Sequence, residues 1–167
     1  GAPNKNIGDA FLVVWKLPEC QEKYKRSRGS IIEAKAAMLW GGDQDPDIQL
    51  QITQHLADAA LASMIIIKSA LDRSSKLKKF CDREDMQEKI PGFRASMGFG
   101  LHVGWAIEGA IGSHHKIDPS YLSPHVNMAA RLEAATKQYH VPILLSDSFY
   151  SLLSPQNQER CRAIDTV

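Results

Sequence analysis

Net charge is almost missing from this chain. Its 20 lysines and arginines against 19 aspartates and glutamates leave a formal charge of +1. That excludes a global electrostatic attraction to nucleic acid or to an anionic membrane. Two short basic runs, Lys23–Arg28 and Arg73–Lys79, read as solvated loop or helix-end charge. Cysteine is scarce: Cys20, Cys81 and Cys161 are odd in number, far apart and without a CxxC spacing. They read as free thiols in a reducing compartment and exclude a disulfide framework. The six histidines are scattered, and the adjacent His114 and His115 would point apart, so no metal site is expected there. No apolar run approaches the roughly 20 residues that a membrane span needs, since Ala57–Ala70 is interrupted by Asp58 and Lys68. No signal peptide is visible. The 167 residues are a one-domain length, enough to bury a core.

What is present is patterned. Asn4–Lys16 opens polar, turns at Ile7-Gly8-Asp9 and runs out as the apolar Ala10–Trp15, the pattern of a β-hairpin. Glu19–Asp47 is charged, then apolar over Ile31–Trp40, and closes on the breaker cluster GGDQDPD. Asp45-Pro46-Asp47 then supplies a helix start. Ile52, Leu56, Ala59, Ala60, Ser63, Ile66, Ile67 and Ala70 fall on one side, which predicts a long helix to Leu77. Lys78–Lys89 is expected as an exposed loop.

Phe93–Val103 alternates. Met97, Phe99, Leu101 and Val103 share one face, and Gly98, Gly100, His102 and Gly104 the other. Glycine weakens a strand unless a helix, another subunit or a ligand approaches closely. Trp105–Ile111 is predicted to return as the second strand of a hairpin, with Trp105 either exposed at an interface or buried, and His114–Ser123 as a loop. Ser123 as cap and Pro124 as first helical residue predict a helix to Tyr139 that buries Met128, Leu132, Ala135 and Tyr139. Val141–Leu145 reads as a strand, Ser146–Leu153 as a short helix and Cys161–Val167 as a last strand. This order of strands and helices predicts an α+β layer fold on an antiparallel sheet.

Three stretches, in order, carry a resemblance. Lys5-Asn-Ile-Gly8-Asp9, His102-Val-Gly104 and Asn127-Met-Ala-Ala-Arg131 resemble the hairpin, strand-pair and helix motifs of class III nucleotide cyclase catalytic domains, the adenylyl and guanylyl cyclases. The resemblance implies a ferredoxin-like α+β fold truncated at both ends. It makes residues 1–167 a single partial domain that lacks the first strand. Because the family's connection there is shorter, it also makes 19–47 an insertion, one without an assigned role.

A cyclase drives a nucleotide 3′-oxygen onto its own α-phosphate and expels pyrophosphate, which is work for two divalent ions, Mg²⁺ or Mn²⁺. Such hard ions prefer carboxylate oxygen. By resemblance Asp9 is one of two metal aspartates. The other lies in an upstream strand outside this chain, so the isolated chain is expected to have little or no activity. Lys5 takes the family's purine-reading position. An ammonium donates to adenine N1, whereas guanine N1 carries a proton, so Lys5 favours ATP over GTP. Ser120 takes the second base-reading position, where adenylyl cyclases usually carry aspartate. It accepts from adenine's exocyclic amine without excluding guanine. Gly8 counts with Lys5 and Ser120 among the substrate-binding positions.

The catalytic pair implied is Asn127, holding a ribose oxygen, and Arg131 one turn on, stabilising charge at the α-phosphate. His102 is assigned to structure. Two positions depart from the family. Gly98 stands where many adenylyl cyclases have a phosphate-contacting arginine, and the family's triphosphate lysine falls beyond Val167. The family's site forms between two domains, so the expected partners are ATP and a second cyclase domain, in a homodimer or a heterodimer. No nucleic acid and no direct membrane insertion are expected. The expected location is the cytoplasmic side, within a larger membrane-bound or cytoskeletal parent or apart from one. The leading reading is an adenylyl cyclase. The alternative is an inactive cyclase-like domain with a structural or regulatory role; Lys5 argues against a guanylyl cyclase.

Overall fold

The structure, a computed structural model, describes residues 2–7, 10–17, 46–113 and 116–166. Gly8, Asp9, Pro18, His114, His115 and positions 19–45 of the expected insertion lie outside the described residues. In chain order the elements are β1 (Ala2–Ile7), β2 (Ala10–Val14), α1 (Pro46–Arg73), α2 (Ser75–Cys81), α3 (Glu84–Lys89), β3 (Phe99–Leu101), β4 (Ile107–Ser113), β5 (Lys116–Leu122), α4 (Pro124–Tyr139), β6 (Ile143–Leu145), α5 (Asp147–Tyr150) and α6 (Pro155–Gln158). The fold is α+β, its described strands forming three two-stranded ladders. Two compact units are distinguished. One comprises Gly1–Ala60, Ala110–Ser120 and Tyr150–Val167, the other Leu61–Gly109 and Tyr121–Phe149.

In the first unit β1 and β2 form the expected antiparallel hairpin, with Lys5 opposite Leu12 and Ile7 opposite Ala10. The register shifts between Pro3, opposite Val13, and Lys5, so that Asn4 is left without a cross-strand partner, the irregularity of a β-bulge. Asp58 on α1 accepts the Ser154 N–H at 3.1 Å and so ties that helix to the start of α6. Leu152 and Leu153, just before it, are buried.

The apolar face of α1 is corrected. Gln49, Thr53, Ala57, Ala60, Leu61 and Met64 are buried, while Ile52, Ile66 and Ile67 are exposed. The stripe is rotated by about one residue, roughly 100° at 3.6 residues per turn. Two adjacent stripes satisfy the same 3–4 spacing, and the buried one carries the polar Gln49 and Thr53. By length and composition only, Asp47–Arg73 is long and apolar enough to cross a membrane, its most apolar 18 residues having a mean hydropathy of 1.3, a test that a core helix of a soluble protein also passes. To that extent the expectation that no segment reaches such a length is also corrected.

The helix stops at Arg73, short of Leu77, because Ser74 turns extended and its Oγ accepts the Leu77 N–H at 3.3 Å, opening α2. The expected loop 78–89 is therefore mostly helix. Gln87 closes it: its amide donates to Cys81 O at 2.6 Å, and its Oε1 accepts from Gly92 N–H, where φ is +77°.

The hairpin expected around Gly104 is not formed. β3 pairs parallel with β6, Phe99 opposite Ile143 and Leu101 opposite Leu145. Parallel pairing needs a crossover, and α4 lies on it. β4 pairs with β5 instead, where a loop was expected. Pro119 inside the segment argues against a strand, yet an edge position in a two-stranded ladder tolerates it. The expected strand at Cys161–Val167 is absent over the described residues 161–166, which have no regular structure.

Candidate active site

The site is organised by the first turn of α4. Ser123 is extended, and its Oγ accepts the His125 N–H at 3.0 Å while donating to Trp105 O. One hydroxyl thus satisfies a helix-start donor and ties the turn to the segment after β3. Pro124, which has no N–H to satisfy, follows as the first helical residue.

The helix lies against the glycine face of β3. A Cβ at Gly98 would collide with Thr136, one at Gly100 with the backbone of Ala129 and Glu133, and one at Gly104 with the His125 ring. The helix is therefore what the glycines make room for. The opposite face of β3 places Phe99 and Leu101 in the core. Of the residues expected to be buried on α4, Met128 is exposed and Leu132, Ala135 and Tyr139 are half-buried, while Thr136 is the buried residue.

Asn127 and Arg131 share the other side of α4, one turn apart and both exposed. Neither side chain makes a hydrogen bond or ion pair among the described residues. Asn127 borders an open hollow of about 370 Å³ whose walls include Trp105, Ile107, Tyr121, Leu122 and Val126. Trp105 is 58% exposed. The Asn127 amide at the edge of a mostly apolar hollow, with the exposed Arg131 guanidinium one turn further along the helix, can receive a polar, anionic ligand with an apolar part. Ser120, near the end of β5, is only 2% exposed, so its hydroxyl is covered. Lys5 lies in β1, and Gly8 and Asp9 lie outside the described residues. Among the described residues no three of His, Cys, Asp or Glu gather as metal ligands.

His102 occupies the position expected of a structural residue. Its Nδ1 lies 2.7 Å from Ser146 Oγ and its Nε2 2.8 Å from Nδ1 of His125. The imidazoles stack at 5.0 Å, and Trp105 meets His125 edge-on at 5.9 Å. Burial, and then the charge of His125, hold the pKa of His102 below the ordinary histidine value. Sequence reasoning missed His125 and Ser146. The available signal was His125 two places after a helix cap and His102 on a glycine face that a helix must cover.

The sequence matches the adenylate and guanylate cyclase catalytic domain over residues 4–167. The chain belongs to that family. It is similar to an adenylate cyclase of Anabaena cylindrica, 37% identical over 109 residues that make 65% of this chain and 20% of that protein. It is also similar to adenylate cyclase 1 of Rhizobium meliloti, 35% identical over 57 residues, 34% of this chain and 8% of that protein. The chain thus spans a fifth or less of the length of these relatives. A solved bacterial light-regulated adenylyl cyclase is 29% identical, with 62% of this chain and 28% of that one covered at a TM-score of 0.47.

Proposed function

We propose that this domain belongs to an adenylyl cyclase that converts ATP to 3′,5′-cyclic AMP and pyrophosphate, with its site completed by a second cyclase domain. The observation that carries the reading is the pair Asn127 and Arg131, one turn apart with exposed, uncommitted side chains, Asn127 bordering the hollow. Asn127 binds and orients the ribose, so that the 3′-oxygen faces the α-phosphate. Arg131 meets the charge that grows on the α-phosphate oxygens, where a fixed guanidinium helps more in the transition state than in the ground state. Lys5 donates to adenine N1, which favours ATP. Ser120, covered in this state, reads the base only once its hydroxyl is opened.

The described donor set does not by itself make a divalent-ion site. Asp9 supplies one hard carboxylate, and substrate phosphates with a second carboxylate outside this chain would complete the shell. Bound Mg²⁺ or Mn²⁺ would supply activation of the 3′-oxygen and neutralisation of the leaving pyrophosphate. We therefore expect the isolated chain to be inactive or nearly so, and place the working enzyme on the cytoplasmic side.

One observation favours a second reading, a cyclase-like domain kept for a structural or regulatory role. Gly98 stands at the family's arginine position, and Thr136 occupies the space that a side chain there would need.

The deciding experiment measures cyclic AMP and cyclic GMP formation by the full-length protein, with Asp9→Ala and Arg131→Ala as controls. Cyclic AMP that disappears in both variants supports the first reading. Cyclic GMP overturns the role of Lys5. No product from a folded, dimeric protein with Mg²⁺ or Mn²⁺ supports the second reading.

A further inference from the structure

Asn127 and Arg131 have no partner among the described residues to fix their direction, so whatever holds α4 also aims them. One face of the helix is set by Gly100 of β3 and by Gly98 and Gly104 on either side of that strand. The first turn, which carries Asn127, is set by side chains: Ser123 on Trp105 O, and His125 on His102. His102 is in turn anchored on Ser146, whose Oγ also accepts the Phe149 N–H at 3.2 Å. The chain of contacts runs from α5 through two imidazoles to the second residue of α4.

We propose that His125 is a positioning residue: its ring, held by His102 and Ser146, fixes the first turn of α4 and with it the aim of Asn127 and Arg131. The proposal rests on the adenylyl cyclase reading for its effect on turnover, but the clamp itself is a property of this fold. The space for the ring is built in, since only a residue without a Cβ at position 104 leaves room for it.

The pair also has a pH dependence. One imidazole must donate and the other accept, which holds when both are neutral or when they share one extra proton. Two protonated rings set N–H against N–H at a helix start whose dipole already repels positive charge. Among the described residues, the elements around His102 otherwise bring Arg131, Glu133 and Lys137 from α4 and Asp147 from α5; β3, β6 and 103–106 bring no charge. Burial and the neighbouring His125 both disfavour the charged form of His102. The clamp therefore holds at neutral pH and opens in acid.

The test compares wild type, His125→Ala and His125→Asn in the full-length protein. An asparagine amide reaches the place of Nδ1 but does not titrate. Two readouts are taken at pH 7.5 and 5.5: amide hydrogen exchange over Val126–Ala130, and cyclic AMP formation with kcat and KM separated. In H125A we expect exchange in the first turn to rise and kcat to fall by about tenfold to a hundredfold, with KM nearly unchanged, as for a misaimed group. H125N recovers most of both and lacks the acid loss of kcat that wild type shows. Unchanged exchange in H125A overturns the proposal, whether or not the protein makes cyclic AMP. So does raised exchange with kcat and its pH profile unmoved. If wild type makes no cyclic nucleotide, the function reading fails separately. Raised exchange in H125A that H125N restores then still upholds the clamp. If H125A does not fold, the decision passes to H125N: an acid rise in exchange as large as that of wild type overturns the proposal.

Discussion

The two faces of α4 obey opposite rules. Toward β3 the helix is so close that three glycines are needed, and an added methyl at Gly100 would strike backbone rather than a side chain that could swing away. Toward solvent, Asn127 and Arg131 are exposed and their side chains commit no hydrogen bond among the described residues. The packed face stores stability, and the open face leaves binding capacity unspent. A change on the first should therefore be read in melting temperature, and a change on the second in turnover.

The largest expected effect is on the open face. Arg131→Ala should lower kcat about 10²- to 10³-fold, the usual loss when one donor to a developing oxyanion is removed. Its melting temperature should stay close to wild type, because exposed substitutions move stability by about 0.5 kcal/mol or less. If the melting temperature fell with kcat, the division between the faces would fail. Gly100→Ala is the reciprocal change. Overpacking of this kind costs about 1–3 kcal/mol or more, a fall of roughly 2–4 °C per kcal/mol at this size. Calorimetry that showed no change would mean that helix and strand sit further apart than the structure has them.

The His102 pair supplies an intermediate effect. Since its folded pKa lies below 6.5, the folded protein binds fewer protons than the unfolded chain between the two values. This contribution to stability is fully present above 6.5 and is lost as the pH falls through the folded value. Melting curves between pH 7.5 and 5 should show that fall, and His102→Gln should flatten it. An equal slope in the variant would remove His102 as its source.

How much of this was legible in the residues differs by face as well. The open face was: Asn127 and Arg131 could be placed together from helical spacing and from the Ser123-Pro124 start, since both are local properties. The packed face was half legible. Alternation put Gly98, Gly100 and Gly104 on one side and demanded a close neighbour, but not which one. The parallel partner of β3 lies more than forty residues away, and no local pattern specifies a pairing at that distance. On α1 the isoleucines offered two stripes of equal spacing, and burial chose the one with the polar residues. Pro119 hid β5, because the rule against proline in strands applies to central strands more than to edges. His125 escaped because a histidine after a capped proline reads as a surface residue until His102 is set beside it.

The smallest expected effect lies where the packed face ends. α4 closes at His140, whose φ of 53° and ψ of 39° put an L-residue in the left-handed region, with its N–H on Thr136 O. That conformation costs an L-residue about 1–2 kcal/mol, and glycine is the usual solution at this place. Yet glycine also gives the unfolded chain more freedom, worth about 0.5–1 kcal/mol against the fold. The two nearly offset, so His140→Gly should raise stability by a few tenths to about 1 kcal/mol, with turnover unchanged because the residue is remote in sequence from Asn127 and Arg131. A destabilised H140G would show that the histidine side chain contributes something at the cap that the backbone angles do not reveal. It would also mean that the end of α4 is held, as its beginning is, by a specific ring.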